Sequence, residues 1–217
     1  MTIRYLGHSA FIVKGKSGIL LFDPFDPKHV GIPLKKMVAD IVLVSNDNPC
    51  HNNVSIVKGN PHVIKGPGEY EVKEIMVLGF TSLHDKESME KNTIYRVEID
   101  GINICHLGCL GYKLSDSQAE ELGTVDILMI PTGGKTSLDP RSAAEVVNQI
   151  SPSVVIPMHY QNVDSKFTEI QELEPVEKFV EAMGAGLSEG EGTVKFNASD
   201  FVSDTAEGIK VLVMKQS

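Results

Sequence analysis

Cysteine is scarce in this chain. The three cysteines, Cys50, Cys105 and Cys109, are odd in number and unevenly spaced, which fits no disulfide framework and makes a reducing cytoplasm the expected compartment. Long apolar runs are missing too. Stretches such as Ile19–Phe22 and Ile41–Val44 are strand-sized, far below the roughly 20 residues of a membrane span, so no membrane association is expected. Met1 to Lys14 lacks the charged start, apolar run and small-residue cleavage site of a secretory leader. Positive charge is in the minority. Twenty Lys and Arg against 29 Asp and Glu leave a net charge of -9, which argues against nucleic acid as the partner, because such binding rests on cations neutralising phosphates. A small molecule held in a local basic or metal-lined pocket stays compatible with that charge.

What is present is an ordinary globular composition, 41% hydrophobic and 23% charged over 217 residues, enough for one large core. Short apolar runs between turn residues predict strands at Ile3–Leu6, Ala10–Val13, Ile19–Phe22, Ile41–Ser45, 62–65, 69–73 and 75–80. Asp100-Gly101 between Thr93–Ile99 and Ile102–His106 is a tight hairpin signal. From there helix and strand alternate. Ser115–Leu122 carries a capping box, Ile127–Ile130 is a strand, and Asp139-Pro140 opens a helix to Ile150 with Asp as cap and Pro in the first turn. A strand at Val154–Pro157, a helix at Pro175–Met183 stopped by Gly184, and a strand at Ile209–Met214 follow, with the Gly/Glu-rich Ser188–Thr193 expected as a surface loop. No repeat and no domain-separating linker is visible. These patterns alone give a mixed α/β protein.

Several of the seven histidines (His8, His29, His51, His62, His84, His106, His159) follow strand ends, notably His51, His84 and His159. Side chains at the carboxyl ends of strands converge on one edge of an open α/β sheet, where sites form. Five ordered segments then resemble the metallo-β-lactamase superfamily, in particular its small zinc-dependent, lactonase-like branch. They are Leu6-Gly7-His8, Asp23-Pro24, the stretch Ser45 to His51 against the family's T-H-x-H-x-D-H motif, His106-Leu107-Gly108-Cys109 against H-x-G-D, and the strand-end His159, with His84 as the family's mid-chain histidine. The resemblance spans residues 3 to 160. It implies one metallo-β-lactamase-like domain over residues 1–217, folded as a four-layer αββα sandwich.

The resemblance also implies where ligands have gone. The family's first metal position falls on Asn46, Asn48 and His84, and a neutral amide is a poor zinc ligand beside imidazole. The second falls on Cys50, His51, Cys109 and His159, a possible Cys₂His₂ set for one zinc ion, thiolates favouring zinc over harder cations. Four protein ligands make a closed, structural site, whereas a catalytic one keeps a position for water. Three readings of Cys50 and Cys109 stay open: buried space-fillers, ligands of one metal, or a disulfide pair. The expected cofactor is none or one zinc ion, with no two-metal centre. Asp23 matches a carboxylate that orients a histidine ligand. His84 is the candidate base of a residual hydrolase, with the adjacent Asp85 able to orient it or equally to cap a turn, while His8 and His106 read as structural. Gly133-Gly134-Lys135 lacks phosphate-loop spacing, although Lys135 near the strand ends could attract an anion. Two functions follow: a non-catalytic protein that binds a small ligand, and a mononuclear zinc hydrolase of a small ester, lactone or phosphate-bearing substrate.

Overall fold

The computed structural model describes residues 1–84, 89–184, 188–202 and 208–217. In chain order its elements are β1 (Thr2–Gly7), β2 (Ala10–Lys14), β3 (Ile19–Phe22), α1 (Pro27–Val30), β4 (Met37–Val38), β5 (Ile41–Val44), β6 (Val57–Lys58), β7 (His62–Lys65), β8 (Gly68–Val72), β9 (Ile75–Leu83) and β10 (Lys91–Ile99). They continue with β11 (Ile102–His106), α2 (Asp116–Glu121), β12 (Ile127–Pro131), α3 (Pro140–Ile150), β13 (Val154–Met158), α4 (Thr168–Gln171), α5 (Val176–Ala182), β14 (Ser188–Gly190), β15 (Thr193–Lys195) and β16 (Lys210–Met214). Two sheets dominate. One has six strands in the order β15-β1-β2-β3-β5-β7, the other eight in the order β14-β16-β13-β12-β11-β10-β9-β8.

Strand alternation builds the layers. Ile3 and Tyr5 of β1, Phe11 and Val13 of β2, Leu20 and Phe22 of β3, and Ile41 and Leu43 of β5 meet Val77, Tyr95, Ile104, Met129 and Ile156 of the larger sheet in one buried core. The intervening residues face outward: Leu6, Ala10, Leu21, Val42 and Val44 pack with Phe25, Val30 and Ile32 on the far side of the six-stranded sheet. A period of two, apolar on both faces, is what a strand covered on both sides requires. On the larger sheet Leu128, Ile130 and Val155 turn away from the inter-sheet core and meet Ala143, Val147 and Phe179 of the helices. Helix α3 buries Pro140, Ala143, Ala144 and Val147, the i, i+3, i+4, i+7 stripe of a helix with one apolar face. The result is the αββα sandwich, its outer layer over the six-stranded sheet thinned to α1, short turns and the β4–β6 pair.

The helix starts follow their caps. The side chains of Ser115 and Gln118 form a reciprocal capping box on α2, and Asp139 caps α3 with Pro140 at its first position. One expectation is overturned. Ser188–Thr193 is not a surface loop: β14 pairs parallel with β16 and β15 pairs antiparallel with β1. Both are outermost strands, held by main-chain hydrogen bonds, so they need little of the apolar alternation that marks a central strand. At Gly190 the tip of the Leu212 side chain lies 2.9 Å from where a Cβ would be, so the two strands approach closely there.

Among the described residues no helix is long and apolar enough to cross a membrane.

Candidate functional site

Strands β11, β12 and β13 run parallel, so their carboxyl ends deliver Cys109, the 132–137 loop and His159 to one edge. The six-stranded sheet adds His8 from the β1–β2 turn and His51 from the loop after β5. Together with Asn46, Asn48, Cys50, His84, Lys135, Thr136, Glu169, Ile170 and Leu173 they line a pocket of ≈ 270 Å³. Every position that the sequence resemblance assigned to a metal ligand is on this wall.

His8 and His159 hold their rings by unusual backbone. Their φ angles are 53° and 51°, and that of Asp23 is 42°. Non-glycine residues rarely adopt this left-handed region, and they cluster where surrounding structure over-determines them. The His159 N–H donates to the His8 carbonyl at 2.9 Å, and the Tyr5 hydroxyl donates to that same oxygen at 3.0 Å. Glycines supply the close approaches. A Cβ on Gly111 would sit 1.8 Å from the His84 carbonyl, and one on Gly133 2.2 Å from the His159 carbonyl. Close approach to the His159 backbone, and not phosphate cradling, accounts for Gly133 in the Gly-Gly-Lys stretch. Lys135 itself is paired with Glu172 at 2.9 Å.

The rings are aimed by their partners. The Asp23 carboxylate takes His51 Nδ1 at 2.8 Å and the Ser45 hydroxyl at 2.5 Å, which turns His51 Nε2 away from it. Ser137 Oγ donates to the Gly134 carbonyl at 3.1 Å, so it can accept from His159 Nδ1 at 3.3 Å. That leaves His159 Nε2 facing Cys109 Sγ at 3.8 Å. Nδ1 of His84 meets a Glu90 carboxylate oxygen at 2.8 Å, and its buried Nε2 has no hydrogen-bond partner. Asp85, expected to orient this imidazole, lies outside the described residues. His106 is different: Nε2 meets the Ser9 carbonyl at 2.9 Å, Nδ1 accepts from the Gly108 N–H at 3.1 Å, and the ring stacks on Phe22. With both nitrogens spent on main chain, His106 is a packing residue.

Ligand atoms of His8, His51 and His159 all lie within 4.8 Å of one another. The His51 and His159 ring centroids are 6.0 Å apart. His8 was legible from sequence only as a structural residue, yet both its ring nitrogens are buried without a partner. Burial, reinforced by the His159 and His51 imidazoles, holds His8 well below its ordinary pKa. Burial, then His51 and His84, pushes His159 down to about 3. Both are neutral bases with available lone pairs at physiological pH.

All three cysteines are thiols. Burial raises the Cys109 thiol well above its usual value, and burial with the Asp26 charge raises Cys50 to about 11. Cys50 is half-buried on the pocket wall and packs against the apolar layer outside the six-stranded sheet. Among the described residues, no group of mutually close ligand atoms includes it.

Asn46 and Asn48 are committed to the loop. Asn46 Nδ2 donates to the Lys91 carbonyl at 3.0 Å and its Oδ1 accepts from the Asn48 N–H at 2.8 Å. Asn48 Oδ1 in turn accepts from the Cys50 N–H at 3.0 Å. The amide oxygens that would have to coordinate a first metal are instead turn-forming acceptors.

A family model described as the beta-lactamase superfamily domain matches residues 2–159. The crystal structure of a candidate zinc-dependent hydrolase of the metallo-β-lactamase superfamily from Thermotoga maritima is 32% identical, with a TM-score of 0.79 over 98% of this chain and 97% of that one. A UPF0173 metal-dependent hydrolase of Thermococcus onnurineus is 29% identical over 73% of this chain and 84% of its own. Igni18, a metallo hydrolase of Ignicoccus hospitalis, is 18% identical with a TM-score of 0.68, covering 90% of this chain and 99% of that one, and shares the fold.

Proposed function

We propose that this chain, which belongs to the metallo-β-lactamase superfamily, keeps the family scaffold as a small-molecule binding pocket and has lost the two-metal hydrolytic centre. One observation carries the reading: the Asn46 and Asn48 amide oxygens are consumed in consecutive side-chain-to-main-chain hydrogen bonds that shape the 46–50 loop. Of the first metal's ligand positions only His84 keeps a good donor, so the residues present do not fit a dinuclear centre. A pocket of ≈ 270 Å³ walled by imidazoles, the Cys50 and Cys109 thiols, Thr136, Ile170 and Leu173 suits a small, weakly polar ligand, below the usual drug-sized range. The charge of -9 keeps nucleic acid outside this reading.

A second reading, a mononuclear hydrolase of a small ester, lactone or phosphate-bearing substrate, is favoured by one feature. His84 is held by Glu90 through Nδ1 and leaves a buried, unpartnered Nε2 at the pocket wall, the arrangement of a general base awaiting a proton. An ion held nearby would supply Lewis acidity to such a reaction.

The experiment is a hydrolysis panel of ester, lactone and phosphodiester substrates with zinc or manganese added, run beside a thermal-shift screen of small metabolites. Ligand-induced stabilisation with no turnover above that of the His84→Ala variant is expected. Turnover that His84→Ala abolishes overturns the binding-pocket reading in favour of the hydrolase.

A further inference from the structure

We propose that a second cavity, adjoining the pocket described above, binds a small amino alcohol, its ammonium held at an acidic rim and its hydroxyl on His8. The inference goes beyond the proposed function and does not rest on it. This cavity of ≈ 320 Å³ shares His8 and Ile170 with the first pocket and is otherwise lined by different residues. Its walls come from β1, the end of α1, the segment after β13 and the start of α5, with Gln216 from the chain's last residues. Val30, Ile32, Ile170 and Val176 are buried in the lining, which suits a short aliphatic body.

The charge of the cavity is one-sided. Asp164 and Glu177 line it and are exposed, which places them at the rim. Among the described residues no Lys or Arg lines the cavity, and neither carboxylate is in a salt bridge. The Tyr5 and Tyr160 rings, with centroids 6.4 Å apart, add electron-rich faces that attract an ammonium. Glu177 acts on this wall. Burial pushes the Tyr160 hydroxyl up to about 12, opposed by its hydrogen bond with Tyr5, and the Glu177 charge adds to the rise.

The buried polar group is His8, 5% exposed and with neither ring nitrogen hydrogen-bonded. Such a group calls for a partner, and a hydroxyl can donate to the bare nitrogen of a neutral imidazole or accept from its N–H. The walls are set in advance, which lowers the cost of binding. Ser165 Oγ donates to the Val30 carbonyl at 2.7 Å, the Asp164 N–H to Asn162 Oδ1 at 3.0 Å, and Asn162 Nδ2 to Gln216 Oε1 at 3.1 Å. Gly31, at φ 77°, lets this segment close in, since a Cβ there would lie 2.6 Å from the Lys166 nitrogen.

The test titrates the full-length protein at low salt with ω-amino alcohols of three to six carbons, beside the diols and ω-hydroxy carboxylates of the same lengths. Calorimetry should find one amino alcohol per chain, bound roughly 2- to 30-fold more tightly than the matched diol, the range that two exposed charge pairs give. The hydroxy carboxylates should not bind. The advantage over the diol should vanish at about 1 M salt, where screening acts over ~3 Å. The double change Asp164→Asn with Glu177→Gln, at exposed side chains, should abolish that advantage and leave diol affinity unchanged. In wild-type protein, which needs no variant to fold, amide resonances of Tyr160 to Asp164 should shift, and the His8 ring nitrogens should respond to amino alcohol and diol alike. Equal affinity for amine and carboxylate, a silent His8 ring, or no binding across the series overturns the proposal. Shifts confined to Asn48, Thr136 and Leu173 of the first pocket also overturn it, while supporting the binding-pocket reading.

Discussion

The main-chain N–H of His159 donates to the main-chain carbonyl of His8 at 2.9 Å, joining the end of a strand in one sheet to a turn in the other. Their ring centroids are 4.2 Å apart. Both residues sit at positive φ, a conformation worth roughly 1–3 kcal/mol of strain for a non-glycine residue. The spacing of the two imidazoles is thus set by the backbone of the sandwich, before any ligand is considered.

That coupling makes Gly133 sensitive. A Cβ there meets the His159 carbonyl at 2.2 Å and the Tyr160 Cα at 3.1 Å, and backbone cannot swing aside as a side-chain tip can. Gly133→Ala should destabilise the protein by at least about 1–3 kcal/mol, the usual cost of overpacking. Gly208→Ala is the control: no described residue lies within 4 Å of where its Cβ would be, and a change within about 0.5 kcal/mol is expected. Urea midpoints at constant slope measure both. Equal behaviour of the two variants would mean that the loop carrying Gly133 is not packed on His159.

Much of this organisation is legible in the sequence, for a physical reason. Strands such as Ile19–Phe22 and Ile102–His106 are bounded by turn residues and buried on both faces, so composition marks them. Asp139-Pro140 and Ser115 with Gln118 mark helix starts because the unpaired N–H groups of a first turn demand acceptors. What escaped is what depends on distant chain. The outermost strands β14 and β15 have little pattern of their own. The four-residue helices α1 and α4 are too short to show a period. His8 reads as structural because nothing in Leu-Gly-His reveals that its ring is stranded without a hydrogen bond; that follows from its contact with His159.

Thiol reactivity should separate the cysteines. With its thiol raised to about 11, Cys50 is only roughly 0.1% thiolate at pH 8, yet it is the half-buried one, whereas Cys105 and Cys109 are buried. In metal-free native protein, iodoacetamide should modify Cys50 first. Its rate should climb about tenfold per pH unit below its pKa, and the other two should react only as the fold opens. Peptide mass spectrometry over a pH series decides this, and modification of Cys109 ahead of Cys50 would contradict the packing described.

Asp139 provides a pH-dependent test of the helix layer. Burial works to raise its carboxyl, but hydrogen bonds from the Ser142 hydroxyl and the Ser142 and Arg141 N–H groups outweigh it and hold the pKa below the ordinary value. A carboxyl depressed on folding contributes stability above its unfolded pKa of about 3.9, and loses that contribution as pH falls through the folded value. Asp139→Ala should therefore cost about 1 kcal/mol at neutral pH, and the difference from wild type should shrink in acid below about pH 3.9. A gap that stays constant across that range would show that the charged cap contributes nothing.

The strongest test of the scaffold is to rebuild the superfamily's ligand set. Asn46→His, Asn48→His, Cys50→Asp and Cys109→Asp together would surround His51, His84 and His159 with the missing donors. The structure defines the penalty. Asn46 gives up its bonds to the Lys91 carbonyl and the Asn48 N–H, and Asn48 its bond to the Cys50 N–H, each worth about 0.5–1.5 kcal/mol. Carboxylates and imidazoles crowded without metal add repulsion, which binding offsets. The metal-free variant should therefore melt below wild type. Zinc should reverse the deficit, since an ion bound only by the folded state stabilises it by mass action. Elemental analysis should find two zinc ions per chain in the repaired protein. A folded variant with fewer would mean that the loop from Asn46 to His51, now wound by side-chain-to-main-chain bonds, no longer presents these positions to a metal. Substitution would then have been followed by a change of backbone, and the path back to a two-metal centre would need the loop redesigned as well as its side chains.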